Sequence, residues 1–176
     1  MSVDAPPRWL CDEMLGRLAR LLRAAGHDAR LAAPGTPDRD LLALAAAEER
    51  ILLTRDRRLA REARARALLI REERPEAQAR QLSRLRAIDW HLARFSRCLV
   101  DNAPLRAAPA EEVAALPAAA RAGPGPFRAC PSCGRLYWPG SHVRRMLDRL
   151  DRLAGDAAVE RAEEAPLTSR SCPARP

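Results

Sequence analysis

From Arg8 to about Ile88 short, almost wholly apolar runs alternate with segments of helical periodicity, and after Trp90 the alternation stops. This pattern restricts the fold strongly, because strands that alternate with helices lie parallel in one sheet with helices on both faces. The first run, Arg8-Trp9-Leu10-Cys11, leads directly into a helical pattern. Met14, Leu15, Leu18, Leu21 and Leu22 take one face, Arg17, Arg20 and Arg23 the other, and Gly26 supplies the stop. A second extended stretch is expected near residues 28–32, followed by a Pro/Gly loop and an alanine-rich helix over about 38–49, with Pro37 suited to its start. Arg50-Ile51-Leu52-Leu53-Thr54 reads as a central strand covered on both faces. A short helix over 57–64, an apolar strand over 67–70 and a helix opened by Pro75 that runs to about residue 88 complete the series. The expected fold class is α/β with a mostly parallel central sheet.

Three aspartates stand where a strand or loop hands over to a helix: Asp12 after the first strand, Asp38 at the start of the alanine-rich helix, and Asp56 after the third strand. Ligands of an open parallel sheet bind at the carboxyl ends of its strands, so these distant residues can converge there. A cluster of carboxylates suits a hard cation such as Mg²⁺ or Mn²⁺, which prefers oxygen ligands and keeps part of its water shell. Phosphodiester hydrolysis is the chemistry such a site serves. The competing explanation is capping: aspartate accepts hydrogen bonds from the first amides of a helix, at about 1 kcal/mol per cap. The two roles are compatible. Asp40 is held in reserve for Asp38, because positions two apart on a helix point in nearly opposite directions.

After Trp90 two cysteine clusters appear. Cys130-Pro131-Ser132-Cys133-Gly134 is a zinc knuckle, whereas Cys98-Leu99-Val100-Asp101 carries a carboxylate where a second thiolate is expected. A site of Cys98, Asp101, Cys130 and Cys133 is chemically feasible, since carboxylate oxygen binds zinc at about the same distance as imidazole nitrogen. It would hold the ion less firmly than four thiolates. His142, Cys172 or water are the other candidates for the fourth place. Cys11 reads as core, Cys172 as a free thiol of a polar tail, and His27 and His91 as surface or packing residues. Residues 107–126, rich in Ala, Pro and Gly, are expected to be loop or weak helix, residues 136–138 a strand, and residues 143–153 a basic amphipathic helix. Residues 1–7 are expected to be flexible and 154–176 disordered.

The formal net charge of +8 favours a polyanion such as nucleic acid over an acidic small molecule. Every basic residue except the histidines is arginine, however, so part of that charge reflects composition. Arg128, Arg135, Arg144, Arg145, Arg149 and Arg152 gather around the second knuckle and its helix, beside Tyr137 and Trp138, a combination that suits single-stranded RNA. At least one of those two aromatics is expected to anchor the small module instead, since adjacent strand residues face opposite ways. No run has the length of a signal peptide core or a membrane span. A soluble cytoplasmic protein without a membrane partner is expected.

Asp12-Glu13-Met14-Leu15-Gly16-Arg17-Leu18-Ala19-Arg20-Leu21-Leu22-Arg23, then Gly26, Ile51-Leu52-Leu53-Thr54-Arg55-Asp56, Phe95-Ser96-Arg97-Cys98 and Cys130-Pro131-Ser132-Cys133-Gly134-Arg135-Leu136-Tyr137-Trp138 occur in that order. In this respect the chain resembles the Mut-seven C-terminal ribonuclease domain family, over roughly Arg8 to Leu150. The resemblance implies a PIN-like three-layer nuclease domain over residues 8–90, followed by a small zinc-ribbon module with a C-terminal helix over 91–153. It also implies a metal-dependent ribonuclease, with Asp12, Asp38 and Asp56 matching the acidic positions that hold Mg²⁺ or Mn²⁺ and Glu13 a supporting group. In the family the ribbon normally offers Cys-x-x-Cys twice, and Asp101 departs from that pattern, which puts zinc occupancy in question. A reading of a different class is a non-catalytic RNA-binding or adaptor protein that keeps the fold and the charge without turnover.

Overall fold

A computed structural model describes residues 5–164, with side chains as far as Val159. Four short strands, β1 (Trp9–Cys11), β2 (Ala29–Leu31), β3 (Ile51–Thr54) and β4 (Ala67–Leu69), form one sheet in the order β2-β1-β3-β4. Every pairing is parallel, with Leu10 opposite Arg30 and Leu52, and Leu53 opposite Leu68. The four helices that follow the strands are α1 (Gly16–Ala25), α2 (Asp38–Ala47), α3 (Arg57–Ala63) and α4 (Pro75–Leu85). Side chains alternate across the central strands as the pleat requires. Trp9, Cys11 and Leu53 enter the larger core with α1 and α4, while Leu10 and Leu52 pack with Leu41 and Ala45 of α2 and Leu59 of α3. The sheet is thus covered on both faces, as its apolar strands demanded.

Gly26 ends α1 with φ 104°, and its amide returns to Arg23 O at 3.0 Å. A Cβ at that position would lie 2.4 Å from Ala93 O, so only glycine admits the segment that crosses there. That segment donates from Ala93 N to Ala25 O and from Phe95 N to Ala24 O, which satisfies the last carbonyls of the helix and delivers the chain to Cys98.

Beyond Trp90 a three-stranded antiparallel sheet runs β5 (Arg106–Ala107), β6 (Arg128–Ala129), β7 (Leu136–Tyr137) in spatial order. Two short helices, α5 (Ala110–Ala114) and α6 (Ala118–Arg121), occupy the Ala/Pro-rich segment. The last helix, α7, extends over Ser141–Glu164, which corrects the expectation of disorder from residue 154. Leu150, Leu153 and Ala157 continue one buried stripe against α4 and α1, and Arg80 pairs with Asp156 at 3.3 Å, so the helix has a partner for more turns than its basic first half suggested. The remainder of the expected disordered tail, residues 165–176, and the start of the N-terminal segment lie outside the described residues. No helix among the described residues is long and apolar enough to cross a membrane.

Candidate functional site

Asp12 and Asp56 flank the two central strands, at the point in the sheet where the strand order turns from β1–β2 on one side to β3–β4 on the other. Both cap the turn that follows. Asp12 accepts the Glu13 amide at 2.7 Å, and Asp56 accepts the amides of Arg58 at 2.5 Å and Leu59 at 3.0 Å. Those two backbone donors, Leu59 first and then Arg58, hold the Asp56 carboxyl below its ordinary range. Thr54 joins the pair: its hydroxyl donates to Asp12 Oδ2 at 2.7 Å and accepts the Asp56 amide at 3.0 Å. The Thr54 side chain is fully buried, so this link is rigid.

Asp38 opens α2 with Pro37 in the cap position, and it receives Arg58 Nη2 at 3.2 Å. Arg58 therefore ties Asp38 to the same loop that caps on Asp56. Asp40 pairs with its own neighbour Arg39 at 3.3 Å. Glu13 Oε2 accepts the Gly35 amide at 2.7 Å and so fixes the loop before α2 against the end of β1. The aspartates share one edge of the sheet and are linked through Thr54 and Arg58, without their carboxylates closing into a set of three.

Such closure does occur at the knuckles. One ligand atom from each of Cys98, Asp101, Cys130 and Cys133 lies within 4.8 Å of all the others, and among the described residues this is the group of three or more that can hold a metal ion. Cys98 Sγ and Cys133 Sγ are 3.7 Å apart, and Cys130 Sγ lies 3.2 Å and 3.3 Å from the two Asp101 oxygens. A tetrahedral zinc with bonds of about 2.3 Å to sulfur and 2.0 Å to oxygen separates two sulfurs by about 3.8 Å and sulfur from oxygen by about 3.5 Å. The donors present therefore fit that ion in both chemistry and spacing.

The two knuckles are conformational copies. Asn102 follows Asp101 with φ 70° and donates its amide to Cys98 O at 3.1 Å; Gly134 follows Cys133 with φ 68° and donates to Cys130 O at 3.0 Å. Asp101 thus occupies the place in its turn that Cys133 occupies in the other. Burial works against the Asp101 carboxylate, yet hydrogen bonds from Cys133, the Ala103 amide, Cys130 and Cys98 bring it down to about 2. Tyr137 stands behind the first knuckle, its hydroxyl 3.2 Å from Cys98 Sγ and accepting the Leu99 amide at 2.9 Å.

Two residues that the sequence did not flag anchor this knuckle to the sheet. Arg23, buried on α1, donates to the carbonyls of Ala29, Leu99 and Val100. Asn102 accepts the Ala29 amide at 3.0 Å and donates to Asp28 Oδ1 at 2.7 Å, where Arg50 also donates at 2.7 Å. Of the alternative fourth ligands, His142 is engaged through Nδ1 with Arg145 and is absent from the cluster, while Cys172 lies outside the described residues. His27 is buried with Nε2 on Asp89 O, His91 pairs with Asp151 on the surface, and Cys11 is core, where burial pushes its thiol up to about 12. Tyr137 is buried against Phe95, with ring centroids 6.4 Å apart, and Trp138 remains half-exposed.

Residues 7–150 match the family described as the Mut7-C RNAse domain. No curated protein and no solved structure matches the chain.

Proposed function

Because this chain belongs to the Mut7-C RNAse domain family, we propose that it is a PIN-like ribonuclease that hydrolyses RNA phosphodiester bonds at the carboxyl edge of its parallel sheet. The observation that carries this reading is the Thr54 hydroxyl, which holds Asp12 and caps the Asp56 loop at the point where the sheet reverses its strand order. Asp12, Asp38 and Asp56 would hold Mg²⁺ or Mn²⁺. Oxygen-only donors with room between them suit an ion that binds through one or two carboxylates and retains water. When bound, such an ion lowers the pKa of water and offsets charge on a leaving oxygen. The chain's own part is positional. Thr54 and the capped amides fix the direction of two carboxylates, Glu13 holds the neighbouring loop, and Arg58 keeps Asp38 near the edge while offering a cation to the phosphate.

Cys98, Asp101, Cys130 and Cys133 would hold a structural zinc, making the antiparallel module a zinc ribbon whose basic side assists RNA binding or stability. Such a zinc would be held less firmly than by four thiolates, as one hard ligand replaces a soft one. The second reading, an RNA-binding protein without turnover, has one feature in its favour: Asp38 is already paired with Arg58. Cleavage of a labelled RNA in Mg²⁺ or Mn²⁺ by wild type and by Asp12→Asn and Asp56→Asn decides between them. Hydrolysis that disappears in the variants while melting temperature holds within a few degrees supports the enzyme, and equal hydrolysis in all three removes the assignment.

A further inference from the structure

We propose that the groove between α1, the end of β7 and the first turns of α7 is the docking track for the single-stranded RNA that the aspartates cut, a proposal that rests on the ribonuclease reading above. The groove measures about 770 Å³ and takes in Arg17 and Arg20 of α1, Arg135 before β7, and Arg145 and Arg149 of α7. No aspartate or glutamate lines it. Such an excess of cations over carboxylates in one depression is complementary to a polyanion, and a surface whose charge were merely compositional would intersperse the two signs.

The arginines differ in how far they are already engaged. Among the described residues the side chains of Arg17, Arg20 and Arg135 have no hydrogen-bond or ion-pair partner, and Arg145 meets only the ring nitrogen of His142. Arg149 reaches Glu76 through one nitrogen, and its buried Nε is unpaired. The floor is apolar, with Phe95, Val100, Trp138 and Met146. Val100 is 51 % exposed and available for contact. Unpaired guanidinium groups above an aromatic and aliphatic floor are what a single strand requires: phosphates take the cations, and bases stack or lie on the floor in place of water.

The track has a direction. α1 begins directly after the short turn that Asp12 caps, so Arg17 stands in its first turn, and Arg20 lies about 4.5 Å further along the helix axis from the sheet edge. A strand lying on Arg20 and then Arg17 is led towards the aspartates. On the opposite wall Arg145 and Arg149, one turn apart, present a second row.

The test measures binding of a fluorescein-labelled twelve-residue oligouridylate to the full chain in an Asp12→Asn background, by anisotropy at several salt concentrations. Arg17→Ala/Arg20→Ala should weaken binding at least tenfold and reduce the logarithmic salt slope by about 1.4, two single-strand contacts at about 0.7 each. Trp138→Ala should weaken binding about fivefold or more at every salt, with an unchanged slope. Arg66→Ala/Arg86→Ala, which removes equal charge beside the amino ends of the strands, should change affinity less than twofold. Equal losses in the groove and control doubles would overturn the proposal, as would a groove double that lowers binding to phosphatidylglycerol vesicles but leaves RNA binding intact. The hydrolytic reading fails separately: RNA held by the groove with no cleavage under any metal leaves the track and removes the enzyme. Cleavage that needs Asp12 in a protein whose RNA binding ignores the groove variants keeps the enzyme and removes the track.

Discussion

At the sheet edge Asp12, Asp38 and Asp56 sit on separate elements and reach one another through Thr54 and Arg58, whereas at the knuckles Cys98, Asp101, Cys130 and Cys133 approach within 4.8 Å with little else between them. The first arrangement is complete without an ion, since each carboxylate already serves a backbone amide or a guanidinium. The second gathers potential anions that only a cation or retained protons can reconcile. On the proposed reading an ion at the edge would contribute chemistry, and an ion at the knuckles would contribute structure. Exchanging one donor in each centre should separate the two roles. Asp12→Asn keeps the shape of the cap, and cleavage should fall about a thousandfold or more because a ligand charge is lost where several kcal/mol of charge stabilisation arise. Bound zinc, measured on the same preparation, should stay at the wild-type level. A variant that lost both together would show that the centres are not independent.

Cys130→Ser is the reciprocal exchange. Cys130 is buried and sits in the same apolar cluster as Trp9, Leu22 and Tyr137, so loosening the knuckle loosens the wall behind α1. Zinc content should fall to background and the melting temperature by roughly 10 °C, the scale of about 3 kcal/mol in a chain of this length. Below the new melting point, cleavage per folded molecule should change less than severalfold. Activity that vanishes while the variant is still folded would assign catalysis to the zinc centre.

Thr54→Val probes the linkage at the edge directly, by removing a hydroxyl of nearly the same size from a fully buried position. Groups that orient a metal ligand typically contribute 10- to 100-fold in affinity or activity, and a loss in that range is expected. The loss should appear mainly as a higher requirement for Mg²⁺ or Mn²⁺, which distinguishes a positioning role from lost stability. A decline only in melting temperature would leave Thr54 as a core residue with no part in the site.

How much of this was legible in the sequence depended on how local the signal was. The strands and α1 to α4 follow from apolar periodicity, the stop at Gly26 and the start at Pro75, because those signals lie within one turn or one strand of the element they define. Asp12 and Asp56 were legible because a cap is read by its neighbours. Thr54 stood in plain view two residues before Asp56, but its other partner, Asp12, is 42 residues away, and only the β1–β3 register brings them together. The hub of Asp28, Arg50 and Asn102 is of the same kind, three unremarkable polar residues joined across β2, β3 and the knuckle. Asn102 did carry a local signal that was not used: it follows Asp101 as Gly134 follows Cys133, and asparagine is one of the few residues at ease with positive φ. The extent of α7 was missed because Leu150, Leu153 and Ala157 find their partners on α4 and α1.

The Asp28 hub ties the first knuckle to the amino ends of β2 and β3, away from the aspartates, and acid should expose it. Burial alone would raise the Asp28 carboxyl, but hydrogen bonds from Arg50 and Asn102, the charge of Arg50 and a bond from Arg8 bring it down to about 2. A carboxylate depressed on folding adds stability that is fully present above its unfolded value, near 4, and is lost as the pH falls through about 2. The wild-type melting temperature should therefore fall more steeply between pH 4 and pH 2 than that of Asp28→Asn, which has no proton to take up there. Parallel curves would mean that the hub is no stronger folded than unfolded.

Asp101→Cys is the smallest change and bears most directly on what the two centres share. The knuckle backbone already has the conformation of its cysteine-only twin, with Asn102 in the place of Gly134, so a thiolate at 101 needs no rearrangement of the turn. Replacing a hard oxygen by a soft sulfur should slow the release of zinc to a chelator severalfold. The carboxylates at the sheet edge should not respond, since Thr54 and Arg58 hold them by bonds that do not pass through the knuckles. Two measurements on one preparation, the rate of zinc transfer to a chromogenic chelator and the rate of RNA cleavage, decide the matter. A slower transfer with unchanged cleavage establishes Asp101 as the fourth ligand of a purely structural ion, while transfer at equal rates from both forms means that the carboxylate caps the Ala103 amide and does not touch the metal.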